Sequence, residues 1–140
     1  MDPTEIYARF LHMLCCWREA RGEPSAAKTA QAWSVKNRVL NPSWWGTGYI
    51  EVILKPYQYS SFNHSDPNST TFPSAIDSSW IDCQNVCEAM YDGTTPDPTG
   101  GATNYFDKSM DAQPPGWATD GSMTHTCDIG SFHFYKRSGT

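Results

Sequence analysis

The first 22 residues constrain the fold most, because they carry the start, the apolar face and the stop of one long helix. Asp2 and Pro3 supply a capping carboxylate and a proline at the first helical position, and Glu5 follows three residues after the cap. The helix should end near Arg21, before Gly22. Its apolar positions at helical spacing are Ile6, Phe10, Met13, Leu14 and Trp17. Such an apolar face must be covered by other elements, so we expect a packed, helix-rich domain.

Further helices are predicted downstream. Ser25 can cap a helix that runs to Leu40, and a short helix over 50–54 precedes Pro56. A third firm helix should begin after Asp77 or Ser79 and end at Gly93. The positions expected to face inward are Ala27, Ala30, Trp33 or Ser34, and Val35 in the second helix, and Trp80, Cys83, Val86, Cys87 and Met90 in the third. The Ser/Asn/Pro/Thr-rich segment 57–79 reads as a long surface loop, and such loops are usually functional or mobile.

Two short strands complete the predicted architecture. Residues 102–106 and 131–135 alternate as strands do, with a Pro/Gly/Ser-rich connection between them. A chain of 140 residues is one ordinary domain in length. The expected fold is therefore α+β and mainly helical, with a small β element, in a single domain over residues 1–140.

Charge and hydropathy exclude several classes of protein. The net charge of -5 argues against a nucleic-acid binder, which needs a basic face. No stretch approaches the roughly 18 apolar residues of a membrane span, and the mean hydropathy is -0.57. The start MDPTEIYARF lacks the pattern of a secretory signal, which predicts synthesis in the cytoplasm.

The five cysteines could be core thiols, disulfide partners or zinc ligands. An odd number cannot all pair internally, and the adjacent Cys15 and Cys16 are most simply small buried hydrophobes. Cys83 and Cys87 are spaced by one helical turn, and His125 and Cys127 follow later, but this spacing fits no common zinc site well. Core thiols, or a bridge from Cys83 or Cys87 to Cys127, are the simpler interpretations.

Glu19 is the strongest candidate for chemistry. It lies in the last turn of the apolar helix, where aromatic and aliphatic neighbours and the negative end of the helix dipole favour a neutral carboxylic acid. Such an acid can deliver a proton to a leaving oxygen. The alternative is that Glu19 and Glu23 are surface residues paired with Arg18 and Arg21.

Aromatic side chains in or beside loops provide a second signal. A cleft lined by aromatic faces can grip sugar rings by apolar stacking and hydrogen bonding. At least half of these side chains should instead anchor the core or the loops. They are Trp44, Trp45, Tyr57, Tyr59, Tyr105 and Trp117.

Four sequence blocks resemble the SleB/CwlJ-type cell-wall hydrolases, the spore-cortex-lytic enzymes with their bacterial and phage relatives. They are WREARGEPSAAKTAQAWSVKNRVLNPSWW, EVILKPYQYSSFN, DPTGGATNYFD with PPGWA behind it, and IGSFHFYK. The first is similar to the family's E-A-R-G-E helix end followed by a helix closing in N-R-V. Together the blocks cover about residues 5 to 136, in the family's order.

This resemblance implies a lysozyme-like fold that acts on the glycan strands of peptidoglycan. It assigns the catalytic acid to Glu19, and sugar contacts to Gln58, Tyr59, Tyr105 and Trp117. Glu23 is expected to be structural or to help end the helix. The chain departs from the family pattern at Phe132, where a histidine is usual, and in the extended loop over 61–75.

Mechanistic alternatives follow from the carboxylates. Muramidases of the two-carboxylate kind need a second Asp or Glu about 5–9 Å away, and no second carboxylate has comparable sequence context. A single-Glu site implies a lytic transglycosylase that forms 1,6-anhydro-N-acetylmuramic acid without any metal or cofactor. A hydrolytic muramidase, a zinc- or cysteine-dependent amidase and a non-catalytic glycan-binding module are the alternatives.

The expected setting is a phage endolysin of the Gram-negative type, which waits in the cytoplasm and acts on the cell wall in the host periplasm. The alternatives are a virion-associated lysin, a prophage remnant and a bacterial germination enzyme. The expected partner is the peptidoglycan glycan strand, bound by a monomer, with no nucleic acid and no stable membrane insertion.

Overall fold

The computed structural model describes all 140 residues and contains four α-helices and three β-strands. The helices are α1 (Pro3–Ala20), α2 (Ser25–Leu40), α3 (Tyr49–Leu54) and α4 (Ser78–Tyr91), and the strands are β1 (Asn104–Asp107), β2 (Met123–Ile129) and β3 (Phe132–Arg137). The predicted α+β, mainly helical architecture is confirmed. None of the helices combines the length and apolar character needed to cross a bilayer.

Helix α1 packs against each of the other three helices. The predicted cap is confirmed, since the Asp2 carboxylate accepts a 2.9 Å hydrogen bond from the Glu5 backbone N–H. Burial begins only at Leu11, however, so the prediction that Ile6 and Phe10 face the core is wrong. These two side chains are 56% and 40% exposed, because the neighbouring helices cover mainly the second half of α1. The C-terminal half of α1, which ends in Glu19 and Ala20, is therefore the part of the helix that is packed in the core.

Helix α2 starts differently from the prediction. Its N-cap residue is Pro24, and the Ser25 hydroxyl donates to the Asp82 carboxylate of α4 instead of capping α2. Of the two residues predicted as alternatives for one inward position, Ser34 is buried and Trp33 is only half-buried. The remaining inward positions, Ala27, Ala30 and Val35, are all fully buried as predicted. Small side chains on α2 thus allow close packing against α1 and the sheet.

Helix α4 begins at the first of its two predicted starts. Asp77 caps it by accepting from the Trp80 N–H at 3.0 Å. The predicted stripe is buried except for Trp80, which is half-buried. Its buried members are Cys83, Val86, Cys87 and Met90.

The sheet contains one strand that the sequence pattern missed. Its order is β1-β3-β2, with both neighbouring pairs antiparallel, so the missed strand β2 forms one edge. Phe132 and Phe134 of β3 are buried against Ala20 of α1 and Ala27 of α2. This contact places the sheet beside the end of α1.

The long segment 57–79 is tied to α1 and contains two 3₁₀ helices, Ser60–Phe62 and Pro67–Thr70. The Arg18 guanidinium donates to the backbone oxygens of Ser61, Ser69 and Thr71 at 3.1–3.3 Å. It also lies over the Phe62 and Phe72 rings. Arg18 is therefore a buried anchor of this loop rather than a surface partner of Glu19.

Four of the five cysteines are buried core thiols and Cys127 is half-buried, so the predicted bridge and the predicted zinc site are both wrong. All five are free, so no bridge joins Cys83 or Cys87 to Cys127. Cys83 and Cys87 pack with Cys16 between the helices. Cys127 instead lies in the sheet, and the four residues of the suggested zinc site do not come together.

Candidate active site

A groove of about 830 Å³ runs between the C-terminal end of α1, the 57–60 segment and the sheet. Its volume lies within the range of about 300–1,000 Å³ that is usual for ligand sites. All five residues predicted to form the site line this groove: Glu19, Gln58, Tyr59, Tyr105 and Trp117. Residues from distant parts of the sequence thus meet at one surface.

Glu19 is held by a chain of hydrogen bonds from α2 through β1. The Tyr105 hydroxyl donates to Glu19 Oε1 at 2.6 Å, and Gln31 Nε2 donates to the Tyr105 oxygen at 3.3 Å. Since Gln31 occupies the tyrosine oxygen as a donor, the tyrosine proton is directed to Glu19. The second carboxylate oxygen, Oε2, has no hydrogen-bond partner in the protein, so it is the atom left for a ligand.

Tyr105 remains a neutral donor. Burial raises the pKa of the Tyr105 hydroxyl well above its usual value, and the nearby Glu19 carboxylate raises it further. Its ring packs on Phe132 and Phe134, with centroids at 5.0 and 5.7 Å. The ring is therefore part of the wall behind Glu19, and its hydroxyl fixes the orientation of the carboxylate.

Arg38 is a groove residue that the sequence analysis did not select. It is only 4% exposed, and its Nε donates to the Thr103 carbonyl at 2.7 Å. Its Nη1 donates to Gln58 Oε1 at 3.1 Å, which leaves the Gln58 amide N–H groups free. The signal was present in the N-R-V end of the first block, where a charged residue closes an otherwise buried helix face.

The aromatic side chains that line the groove fall into a buried group and an exposed group. Trp45 and Tyr59 are 2% and 3% exposed and pack beneath Arg38, so their faces are not available to a sugar. Trp44 and Tyr57 line the groove at 58% and 85% exposure. These two are the most exposed aromatic surfaces of the groove. Both were among the six loop aromatics named from the sequence, but the family resemblance did not assign them sugar contacts.

Tyr57 also has an unusual backbone. Its φ of 66° is in the left-handed region, where bulky residues are rare. Its N–H is bonded to the Asn63 side chain at 3.0 Å, which holds the turn in place. A strained residue kept at a groove rim points to a role in binding.

Trp117 is half-buried and lines the groove from the 3₁₀ helix Gly116–Ala118. Its ring meets Phe106 and Tyr135 edge-on, with centroids at 6.0 and 5.4 Å. This packing fixes the orientation of the indole ring, and part of the ring faces the groove.

Asp107 is a second carboxylate in the groove. It ends β1 and accepts from the Ser109 N–H at 2.8 Å, so one oxygen caps the following 3₁₀ helix. The sequence around Asp107 did not distinguish it as a second carboxylate comparable to Glu19. Asp107 does cap a turn, but it also lies in the same groove as Glu19.

Glu23 is structural, as expected. Its carboxylate accepts from the Ser131 N–H at 2.7 Å and from the Ser131 hydroxyl at 3.0 Å. It thereby fastens the β2–β3 turn to the start of α2.

Two solved structures share this fold. One is the catalytic domain of the germination-specific lytic transglycosylase SleB from Bacillus anthracis, with a TM-score of 0.69, 22% identity, and coverage of 92% of this chain and 93% of that chain. The other is the catalytic domain of the Bacillus cereus SleB protein, with a TM-score of 0.65, 23% identity, and coverage of 92% and 89%. No match to this chain was found among curated protein sequences.

The sequence itself matches a family model described as Cell Wall Hydrolase over residues 22–135. The match covers most of the chain and begins just after Glu19. It agrees with the resemblance carried by the four sequence blocks. The chain therefore belongs to the cell wall hydrolase family and is an enzyme of that class.

Proposed function

We propose that this enzyme cleaves the glycan strands of peptidoglycan, as a lytic transglycosylase that cuts the β-1,4 bond after N-acetylmuramic acid. The observation that carries the proposal is Glu19, whose Oε1 is fixed by Tyr105 and whose Oε2 is free in an aromatic groove. The fold shared with a SleB catalytic domain, which is named a lytic transglycosylase, supports the same activity.

In the first step, Glu19 Oε2 gives its proton to the glycosidic oxygen as the bond from that oxygen to the muramic C1 breaks. The N-acetylglucosamine portion leaves as an alcohol, and the N-acetyl group of the muramic residue stabilises the positive charge at C1. The hydrogen bond from Tyr105 to Oε1 stabilises the negative charge that Glu19 gains.

In the second step, the ionised Glu19 takes the proton of the muramic C6 hydroxyl, and that oxygen forms a bond to C1. The product is the 1,6-anhydro ring, and Glu19 is protonated again for the next cycle. One residue therefore acts as acid and then as base, and no metal or cofactor takes part.

The other groove residues bind the sugars in this proposal. The free Gln58 amide, held by Arg38, donates to an acetamido or hydroxyl oxygen. Trp117, Trp44 and Tyr57 offer apolar surfaces to sugar faces. Tyr59 and Tyr105, by contrast, act from the wall of the groove, beneath Arg38 and beside Glu19.

Hydrolysis is a second candidate because Asp107 lies in the same groove. In a hydrolytic muramidase, Asp107 would act as the second carboxylate, either attacking C1 or activating a water. We favour transglycosylation, since one Asp107 oxygen is already occupied by the Ser109 N–H.

Digestion of purified peptidoglycan in heavy-oxygen water separates the two reactions. A transglycosylase releases muropeptides that are one water lighter than reducing-end products and carry no heavy oxygen. A hydrolase places heavy oxygen at each new reducing end. Release of peptides without any glycan cleavage would instead support an amidase, and binding without release would support a glycan-binding module.

The proposed biological setting is lysis of a Gram-negative host by a phage. Expression in Escherichia coli tests one requirement of this setting, which is that the enzyme attacks a Gram-negative cell wall: cells whose inner membrane is then permeabilised should lyse. A Glu19→Gln variant expressed at the same level should not lyse them.

A further inference from the structure

A cluster of ligand-type side chains lies on the outer face of the sheet, away from Glu19. It comprises His125 and Asp128 of β2 and His133 of β3. One potential ligand atom from each residue lies within 4.8 Å of the other two. Neither the family match nor the proposed reaction gives these side chains a role.

A β-bulge creates the cluster. His125 pairs with Tyr135 and Asp128 pairs with His133, so the register shifts between His125 and Cys127 and leaves Thr126 as an extra residue. Without the bulge, residues 125 and 128 would point to opposite faces of the sheet, because strand side chains alternate. The bulge brings them to the same face, and bulges often re-aim side chains at functional sites.

One carboxylate oxygen is shared by two imidazoles. Asp128 Oδ1 lies 2.6 Å from His125 Nε2 and 2.7 Å from His133 Nδ1. Both ring nitrogens therefore converge on a single anionic atom. A divalent cation bound there would replace the two bridging protons and neutralise the carboxylate.

Asp111 supplies an independent observation. Its Oδ1 lies 2.7 Å from His133 Nε2, the ring nitrogen that faces away from Asp128. Metal-binding histidines almost always donate their second N–H to a carboxylate or carbonyl, which fixes the tautomer and aims the other nitrogen at the metal. His133 has this arrangement, with Nδ1 as the ligand atom.

We propose that His125, Asp128 and His133 form a binding site for a zinc-class divalent cation, with Asp111 as the outer carboxylate that orients His133. Two imidazoles and one carboxylate are typical ligands of Zn²⁺, with bonds of about 2.0–2.2 Å, and water completes the coordination. A metal bound there would join β2 to β3, and through Asp111 it would fasten the 108–119 segment that carries Trp117. The binding surface is a shallow depression of about 450 Å³, separate from Glu19.

Calorimetric titration of the full chain with zinc chloride tests the proposal, together with the absorption of the cobalt complex. We expect one equivalent of metal, a higher Tm, and a cobalt spectrum without the thiolate band that a cysteine site would give. Asp128→Asn and His125→Gln should abolish binding. Both residues are nearly half exposed, so the variants should fold.

Two further variants sharpen the result. Asp111→Asn should weaken binding by about 10–100-fold. His64→Gln, at an exposed histidine in the 57–79 loop, should leave binding unchanged. Failure of the folded wild type to bind zinc or cobalt, or retention of binding by Asp128→Asn and His125→Gln, would overturn the proposal.

Discussion

The Tyr105 hydroxyl donates a 2.6 Å hydrogen bond to Oε1 of Glu19, although the two residues are 86 positions apart in sequence. This contact connects β1 with the last turn of α1 across the groove wall. It distinguishes the two oxygens of Glu19, since one is held and the other is free. The proposed reaction depends on that distinction.

Tyr105→Phe removes this hydrogen bond while keeping the ring that packs on Phe132 and Phe134. We expect kcat to fall by about tenfold, because a bond to a developing carboxylate contributes roughly 1.5 kcal/mol. Gln31→Leu should give a smaller loss, since it acts through Tyr105. Initial rates of muropeptide release measure both effects, and an unchanged kcat in Tyr105→Phe would contradict the role given to Tyr105.

Tyr57→Asn tests the exposed ring at the groove rim. Asparagine tolerates the left-handed backbone, so the turn should persist and only the aromatic surface should be lost. We expect KM for soluble glycan oligomers to rise about fivefold with little change in kcat. Equal KM values for the variant and the wild type would exclude a stacking role for Tyr57.

Gly130→Ala tests the turn that Glu23 fastens. An added Cβ would lie 2.6 Å from Glu23 Oε1 and 2.7 Å from the Ala27 Cβ, at a φ of +57°. We expect a loss of about 2 kcal/mol in the free energy of unfolding. Gly121→Ala is the matched control, because its φ is +84° and nothing lies within 4 Å of its added Cβ. If chemical denaturation gives the same loss for both variants, the Glu23 contact is not the cause.

His12 should make stability depend on pH. Its Nε2–H donates to the Ala32 carbonyl at 2.9 Å, so Nδ1 accepts from the Tyr91 hydroxyl at 2.8 Å. Burial lowers the pKa of His12 from 6.5 to about 4. The unfolded chain therefore binds a proton more readily, and this contribution to stability is full above pH 6.5 and falls as the pH drops toward 4.

The expected loss from His12 by pH 4 is about 3 kcal/mol. Urea unfolding from pH 7 to pH 4 measures it. His12→Gln should flatten the slope relative to the wild type, whereas His64→Gln should retain it. Identical slopes for the wild type and His12→Gln would show that His12 is not responsible.

Local signals in the sequence were sufficient for the helices. The Asp2 and Asp77 caps and the apolar spacing of α2 and α4 act within a few residues, and the observed bounds agree closely with the predicted ones. The errors at Ile6 and Phe10 arose because periodicity identifies a helix face but not how far its partners extend. Only the packing of α2, α3 and α4 decides that.

Strand β2 could not be found from its pattern. Its sequence MTHTCDI lacks an apolar alternation, because it is an edge strand whose outer face carries His125 and Asp128 and whose register is shifted by a bulge. The sequence also could not reveal the roles of Tyr105 and Gln31, since their contact with Glu19 depends on tertiary packing. Five of the groove residues were predicted because the family resemblance assigned them roles: Glu19, Gln58, Tyr59, Tyr105 and Trp117.

The most direct test compares Glu19→Gln with Asp107→Asn for the release of muropeptides from purified peptidoglycan. Asparagine keeps the capping oxygen at position 107, and glutamine keeps the oxygen that accepts from Tyr105, so both variants should fold. We predict that Glu19→Gln abolishes release, and that Asp107→Asn retains most activity and still yields anhydro-muramic ends. Substantial glycan cleavage by folded Glu19→Gln would contradict the central assignment of Glu19.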